Sequence, residues 1–147
     1  MAECSRHAAD SRKYRERKKV VQRLQEQIHA GGEAEDALWQ AVIAYQDYPF
    51  RTSSGLPFSY TVRQKKNGEY SGELLISRKE SSKTLTKSSM LLALQRVREH
   101  SSSEPPLYAG PKAIGQIFGI SYIYSLFWKW NLLRVPEKVE KKLRGKG

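Results

Sequence analysis

Residues 113–130 read Ala113-Ile-Gly-Gln-Ile-Phe-Gly-Ile-Ser-Tyr-Ile-Tyr-Ser-Leu-Phe-Trp-Lys-Trp130. The pattern predicts two short helices joined by a tight turn. Gly115 is a small residue within the first helix. Gly119 falls where the chain must turn, and glycine tolerates the positive φ of such a turn. Ile120 follows as an apolar plug, and Ser121 can cap the second helix. That order is what a helix-turn-helix needs, and the second helix of such a motif enters the major groove of DNA. Ser121, Tyr122 and Ser125 would then face base edges or phosphates, and Lys129 would contact the backbone. One position dissents. The second helix should carry an inward apolar residue near Ser125, and a slip of one residue would bury Tyr124 or Leu126 instead. The competing reading is a plain helical hairpin with an aromatic core. Tyr122, Tyr124, Phe127, Trp128 and Trp130 do not all fit on one buried face. Some are therefore expected to meet solvent, a partner or a second copy of the chain.

The charge of the chain agrees with an anionic partner. Twenty-six Lys and Arg oppose 15 Asp and Glu over 147 residues, a formal net of +11. Such an excess favours nucleic acid. The excess is uneven: the net is +4 over residues 1–30, −3 over 31–60, +5 over 61–100 and +5 over 101–147. The single cysteine, Cys4, allows no intrachain disulfide, which suits a reducing cytoplasm. The start of the chain lacks the apolar core of a secretory signal. No apolar run reaches the length of a membrane span.

Residues 1–9 read as disordered. Asp10 or Ser11 can cap a helix to about Ala30, ended by Gly31-Gly32. Its apolar stripe is Tyr14, Val21, Leu24 and Ile28. Arg12, Arg15, Lys19 and Arg23 line another side, and Lys13, Arg17 and Lys18 widen the positive zone. This is a basic arm suited to gripping phosphates. It is not a basic zipper, because no leucine heptad follows. A second helix from about Glu33 to Tyr45 has its acidic residues in the first turn, where the helix dipole favours them, and a strong apolar face at Ala37, Leu38, Ala41, Val42 and Tyr45. Phe58, Tyr60 and Val62 alternate with polar residues as a half-buried strand does. Lys65-Lys66-Asn67-Gly68 is a turn signal, and Leu74–Ser77 reads as the returning strand. The lysines at that tip are further candidate phosphate contacts. Residues 79–83 read as polar loop. Thr84 or Thr86 starts a third helix to about His100, with Met90, Leu91, Leu94 and Val97 inward. Residues 101–106 are a linker stiffened by two prolines. Val135-Pro136 stops the C-terminal helix pair, and residues 137–147 are a charged helix or a frayed end.

Catalysis has little support. His7, His29 and His100 are far apart, and no His or Cys spacing suits a metal. No Gly-rich phosphate loop occurs. The carboxylates Glu33, Glu35 and Asp36 are explained as a helix N-terminus. No catalytic residue, metal ligand or cofactor is assigned.

Five stretches carry a resemblance: residues 44–52 (AYQDYPFRT), 58–61 (FSYT), 77–79 (SRK), 110–115 (GPKAIG) and 118–124 (FGISYIY). Together they resemble small proteins of Gram-positive bacteria associated with phages and mobile elements. The resemblance spans about residues 35–135, implies a bacterial, phage-borne protein, and assigns no activity. A phage setting adds a second reading, an anti-CRISPR-like inhibitor of host defence that binds a nuclease or ribonucleoprotein complex.

The expectations are these. The fold is α+β, a mainly helical domain around one β-hairpin, with a helix-turn-helix-like C-terminal pair and an N-terminal basic helix. The arm covers residues 1–32, the globular domain 33–136 and a basic tail 137–147. The protein is a non-enzymatic, cytoplasmic binder of nucleic acid, with duplex DNA favoured, or of a nucleoprotein complex. A homodimer would follow if the aromatic face is exposed.

Overall fold

The computed structural model describes residues 2–78, 82–102 and 104–145, and the backbone alone over residues 2–10. The fold is α+β, and the chain divides into two units, Met1–Tyr45 and Gln46–Gly147.

The first unit is a pair of helices, α1 (Ala2–His29) and α2 (Glu35–Ala44), packed on each other. Helix α1 begins at Ala2, where the sequence suggested a disordered leader. Its inward stripe matches the expected one at Val21, Leu24 and Ile28 but not at Tyr14. Val20, Val21, Leu24 and Ile28 are wholly or partly covered, whereas Tyr14 is 66% exposed. Ala37, Leu38, Trp39, Ala41 and Val42 of α2 are buried.

The second unit is built on a four-stranded antiparallel sheet in the order β1-β2-β3-β4: Phe50–Arg51, Pro57–Gln64, Tyr70–Ser77 and Ser82–Thr86. This replaces the single hairpin expected from the sequence. Strand β4 ends a stretch read as polar loop, and residues 79–81 of that stretch lie outside the described residues. The register decides which face is buried. Tyr60 lies opposite Ile76, Val62 opposite Leu74, and Leu74 opposite Leu85. Directly paired residues share a face, so these side chains form one apolar surface, and all are buried. Phe50 extends it, paired with Phe58 at 5.5 Å between ring centroids.

Helices α3 (Lys87–Glu99) and α4 (Ile120–Lys129) cover the sheet, with α3 packed on β3, β4 and α4. Thr86 caps α3 by accepting a hydrogen bond from the Ser89 amide at 3.3 Å. Helix α5 (Glu137–Arg144) packs on β1.

The first helix of the expected helix-turn-helix is absent. Pro111–Ala113 forms one 3-10 turn, and Gly115 then takes φ +153°, which no helix contains. Helix α4 starts at Ile120 rather than after Ser121, and Gly119 precedes it in the left-handed region at φ +74°. The aromatic expectation holds for one residue alone of the five. Tyr122, Tyr124, Phe127 and Trp130 are buried, and only Trp128 is partly exposed. The sheet supplies one wall and residues 105–108 another. The Tyr108 amide donates to the Arg134 carbonyl at 3.0 Å, and the Tyr124 hydroxyl donates to the Tyr108 carbonyl at 2.7 Å. A helix enclosed on several sides buries aromatic residues all round rather than on one stripe.

Candidate nucleic-acid interface

An α-helix repeats every 3.6 residues, so positions 12, 15, 19 and 23 fall on one stripe. Arg12, Arg15, Lys19 and Arg23 are all exposed on α1. The row spans roughly 16 Å at about 1.5 Å per residue. Among the described residues, none of these four cations forms an ion pair with a carboxylate. Lys13 and Lys18, also exposed, flank the row.

Arg17 does something else. Its Nε donates to the Ala44 carbonyl at 2.9 Å, and its guanidinium stands 5.4 Å from the centre of the Tyr45 ring. A cation satisfying a last-turn carbonyl complements the dipole at the C-terminal end of α2. Arg17 therefore holds the helix pair together and is withdrawn from the phosphate-facing set. Spacing carried the signal: position 17 lies four, seven and eleven residues before Val21, Leu24 and Ile28, on the covered side of the helix rather than on the exposed row.

In the second unit, Lys65 and Lys66 stand exposed in the turn between β2 and β3. The turn is closed by the Lys65 amide donating to the Glu69 carbonyl at 2.7 Å and the Gly68 amide donating to the Lys65 carbonyl at 2.9 Å. Ser121 is exposed at the start of α4. Tyr122 and Ser125 are 5% and 1% exposed, and neither can reach a base edge in this arrangement. The Ser125 hydroxyl donates to the Ser121 carbonyl at 3.3 Å, a bond within the helix. Lys129 is partly buried, with its ammonium 5.0 Å from the centre of the Tyr48 ring. The four residues assigned to a reading helix thus share no open surface.

A second basic stripe was not among the candidate contacts. Lys138, Lys141 and Lys142 are exposed on α5, while Leu143 is buried and Arg144 pairs with Glu140. The signal was in the sequence as Glu137-Lys-Val-Glu-Lys-Lys-Leu-Arg144, whose two apolar residues lie four apart on one helical face.

A cleft of about 270 Å3 in the second unit is bounded by Thr52–Ser54, Arg78, Lys83 and Phe118. Arg78 donates from Nη1 to the Tyr122 hydroxyl at 2.9 Å. Two phenols are perturbed by their surroundings. Burial pushes the Tyr124 hydroxyl up to about 12, and Tyr108 is raised first by burial and then by the Glu99 carboxylate. Both keep their protons over the physiological range, as structural hydrogen-bond donors do. Among the described residues, no cluster of His, Cys, Asp and Glu could hold a metal ion, and no helix is long and apolar enough to cross a membrane. The side chains of Cys4 and His7 lie outside the described residues.

No family model, curated protein or solved structure matches the chain.

Proposed function

We propose that the protein binds nucleic acid, with duplex DNA as the first candidate, by gripping phosphates rather than reading bases with a helix. The observation that carries this reading is the row of Arg12, Arg15, Lys19 and Arg23, exposed on one stripe of α1 with no paired carboxylate among the described residues. Unpaired surface cations are hydrated and mobile, so they contribute little to folding. Their value lies in displacing the counterions condensed on a polyanion. The exposed lysines of α5 and of the β2–β3 turn add to the same chemistry in the second unit, and the formal charge of +11 favours the encounter.

The test is the salt dependence of binding to a random-sequence duplex. Removing one cation that neutralises a phosphate should flatten the slope of log K against log salt by about 0.9. Replacing Arg12, Arg15, Lys19 and Arg23 by Ala should therefore flatten it by roughly three to four. A wild-type protein indifferent to duplex, single strand and nucleoprotein at low salt would defeat the reading. Retention only by a ribonucleoprotein would redirect it to the inhibitor class.

A further inference from the structure

The cleft at the end of the sheet points to a ligand that the α1 row does not explain. Its chemistry is set by register. Lys83 on β4 lies directly opposite Ile76 on β3, so it projects from the face that carries Tyr60, Ile76 and Leu85. Arg78 follows directly after the last residue of β3, and its guanidinium meets Tyr122 of α4. Two cations thus stand at the margin of an otherwise apolar surface. Among the described residues, the cleft's lining contains no Asp or Glu and neither cation is ion-paired.

Facing them are hydroxyls. The Thr52 side chain, 6% exposed, is fixed by the Leu56 amide at 3.1 Å and by the Ser54 hydroxyl at 3.0 Å. Ser53, Ser121 and the Tyr122 phenol also line the space. The Tyr122 oxygen accepts from Arg78, which leaves its proton to be donated elsewhere. The lip is apolar: Phe118 is 65% exposed and Leu56 48% exposed. A cluster of donors beside an exposed aromatic ring suits a compact anion joined to a flat, weakly polar group.

We infer that this cleft binds a nucleotide phosphomonoester, with the phosphate held by Arg78, Lys83 and the hydroxyls and the base stacked on Phe118. A guanidinium and an ammonium are the side chains of choice for phosphate, and stacking on an aromatic ring tolerates any base. The volume of about 270 Å3 falls just below the roughly 300–1,000 Å3 range of small-molecule sites, which limits it to one nucleotide rather than several. The source is a free mononucleotide or the phosphorylated end of a strand. The inference does not rest on the α1 row.

The experiment is calorimetric titration of the full chain with AMP, adenosine and inorganic phosphate. AMP should bind at least about tenfold more tightly than adenosine, the worth of one charge-assisted contact. Lys83→Ala, at an exposed position, should weaken AMP by about tenfold. Phe118→Ala should weaken AMP and leave inorganic phosphate unchanged. Arg78→Gln should cut the preference for AMP over adenosine by about tenfold, with a thermal melt confirming that the variant folds. A 5′-phosphorylated tetranucleotide compared with its 5′-hydroxyl twin distinguishes the sources: a gain with phosphate assigns the strand end, and equal weak binding assigns the free nucleotide. Equal affinity for AMP and adenosine, absence of AMP binding at millimolar concentration, or an unchanged AMP affinity in Lys83→Ala would overturn the inference. The Arg12, Arg15, Lys19 and Arg23 quadruple variant should keep AMP binding while its duplex affinity falls, so failure of one proposal does not masquerade as failure of the other.

Discussion

Arg78 and Tyr122 are 44 positions apart in the chain, yet the guanidinium of one donates to the hydroxyl of the other at 2.9 Å. The contact ties the end of β3 to the first turn of α4. It also explains why a tyrosine sits at a position that helix-turn-helix reasoning would turn toward DNA: the ring packs edge-on to Phe58 at 5.0 Å while the hydroxyl reaches the sheet margin. Tyr122→Phe keeps the ring and removes the oxygen. Arg78 remains partly exposed, so water can replace the missing acceptor, and the cost should be about 1 kcal/mol. Urea unfolding checks this. A loss above about 3 kcal/mol would mean the hydroxyl holds more than one donor.

Arg15 and Arg17 make opposite demands on the same helix. Arg17 is bonded to the Ala44 carbonyl and lies over Tyr45, whereas Arg15 is exposed. Arg17→Ala should destabilise the helix pair by about 1 kcal/mol, since it removes a charge-assisted hydrogen bond and a cation–π contact at a partly exposed site. Arg15→Ala should leave stability within about 0.5 kcal/mol and flatten the salt slope of duplex binding by about 0.9. Chemical denaturation of both variants, paired with salt titrations, reads the two effects separately. Swapped outcomes would reverse the roles.

The class of the fold was legible because local chemistry and tertiary structure agree there. The alternation of Phe58, Tyr60 and Val62 marks a strand, and the spacing of Met90, Leu94 and Val97 marks a helix face. What was not legible depends on contacts distant in sequence. Strand β4 is hidden because Ser82 and Lys83 are polar and read as loop, while Thr84 and Thr86 read as candidate helix starts. It is a strand because Leu74, Leu75 and Ile76 offer it a paired edge. The single 3-10 turn before α4 escaped because Ile114, Ile117 and Ile120 repeat at helical spacing, while Gly115, at φ +153°, interrupts the helix they suggest. Residues on α4 looked too aromatic to bury on one face, and enclosure by the sheet, α3 and residues 105–108 removed the need for a single face. On the candidate interface, spacing alone identified the α1 row. It also placed Arg17 on the side of Val21, Leu24 and Ile28, but it could not exclude Tyr122 or Ser125, whose burial is set by neighbours on other elements.

Alkaline pH should loosen the second unit through its buried phenols. The Tyr124 hydroxyl is raised from 10 to about 12 by burial, and Tyr108 moves in the same direction. A phenol raised in the folded state binds its proton more tightly there than in the unfolded chain. Its contribution is complete below about pH 10 and is lost as pH rises through the folded value. Urea midpoints should hold steady from pH 7 to 9.5 and fall between about pH 10 and 12. Tyr124→Phe should reduce that alkaline fall while lowering stability at pH 7 by about 1–2 kcal/mol, because the Tyr108 carbonyl loses its donor. A variant with an undiminished alkaline fall would place the effect elsewhere.

Gly119 lies close against the sheet. Its φ of +74° lies in the left-handed region, and a methyl group added there would overlap the Leu85 side chain of β4. Backbone strain and overlap act together in Gly119→Ala. The strain alone costs about 1–2 kcal/mol, and forcing a methyl into a packed interior adds roughly 1–3 kcal/mol. Thermal or urea unfolding should therefore show a loss of about 2–5 kcal/mol. The two terms can be separated with Leu85→Ala. That change leaves a cavity and costs about 2–5 kcal/mol by itself, but it clears the space that an alanine at 119 would need. The double variant should be more stable than the sum of the two losses predicts, by the size of the overlap term. Strict additivity would show that the overlap contributes nothing and that the left-handed backbone alone requires glycine at this position.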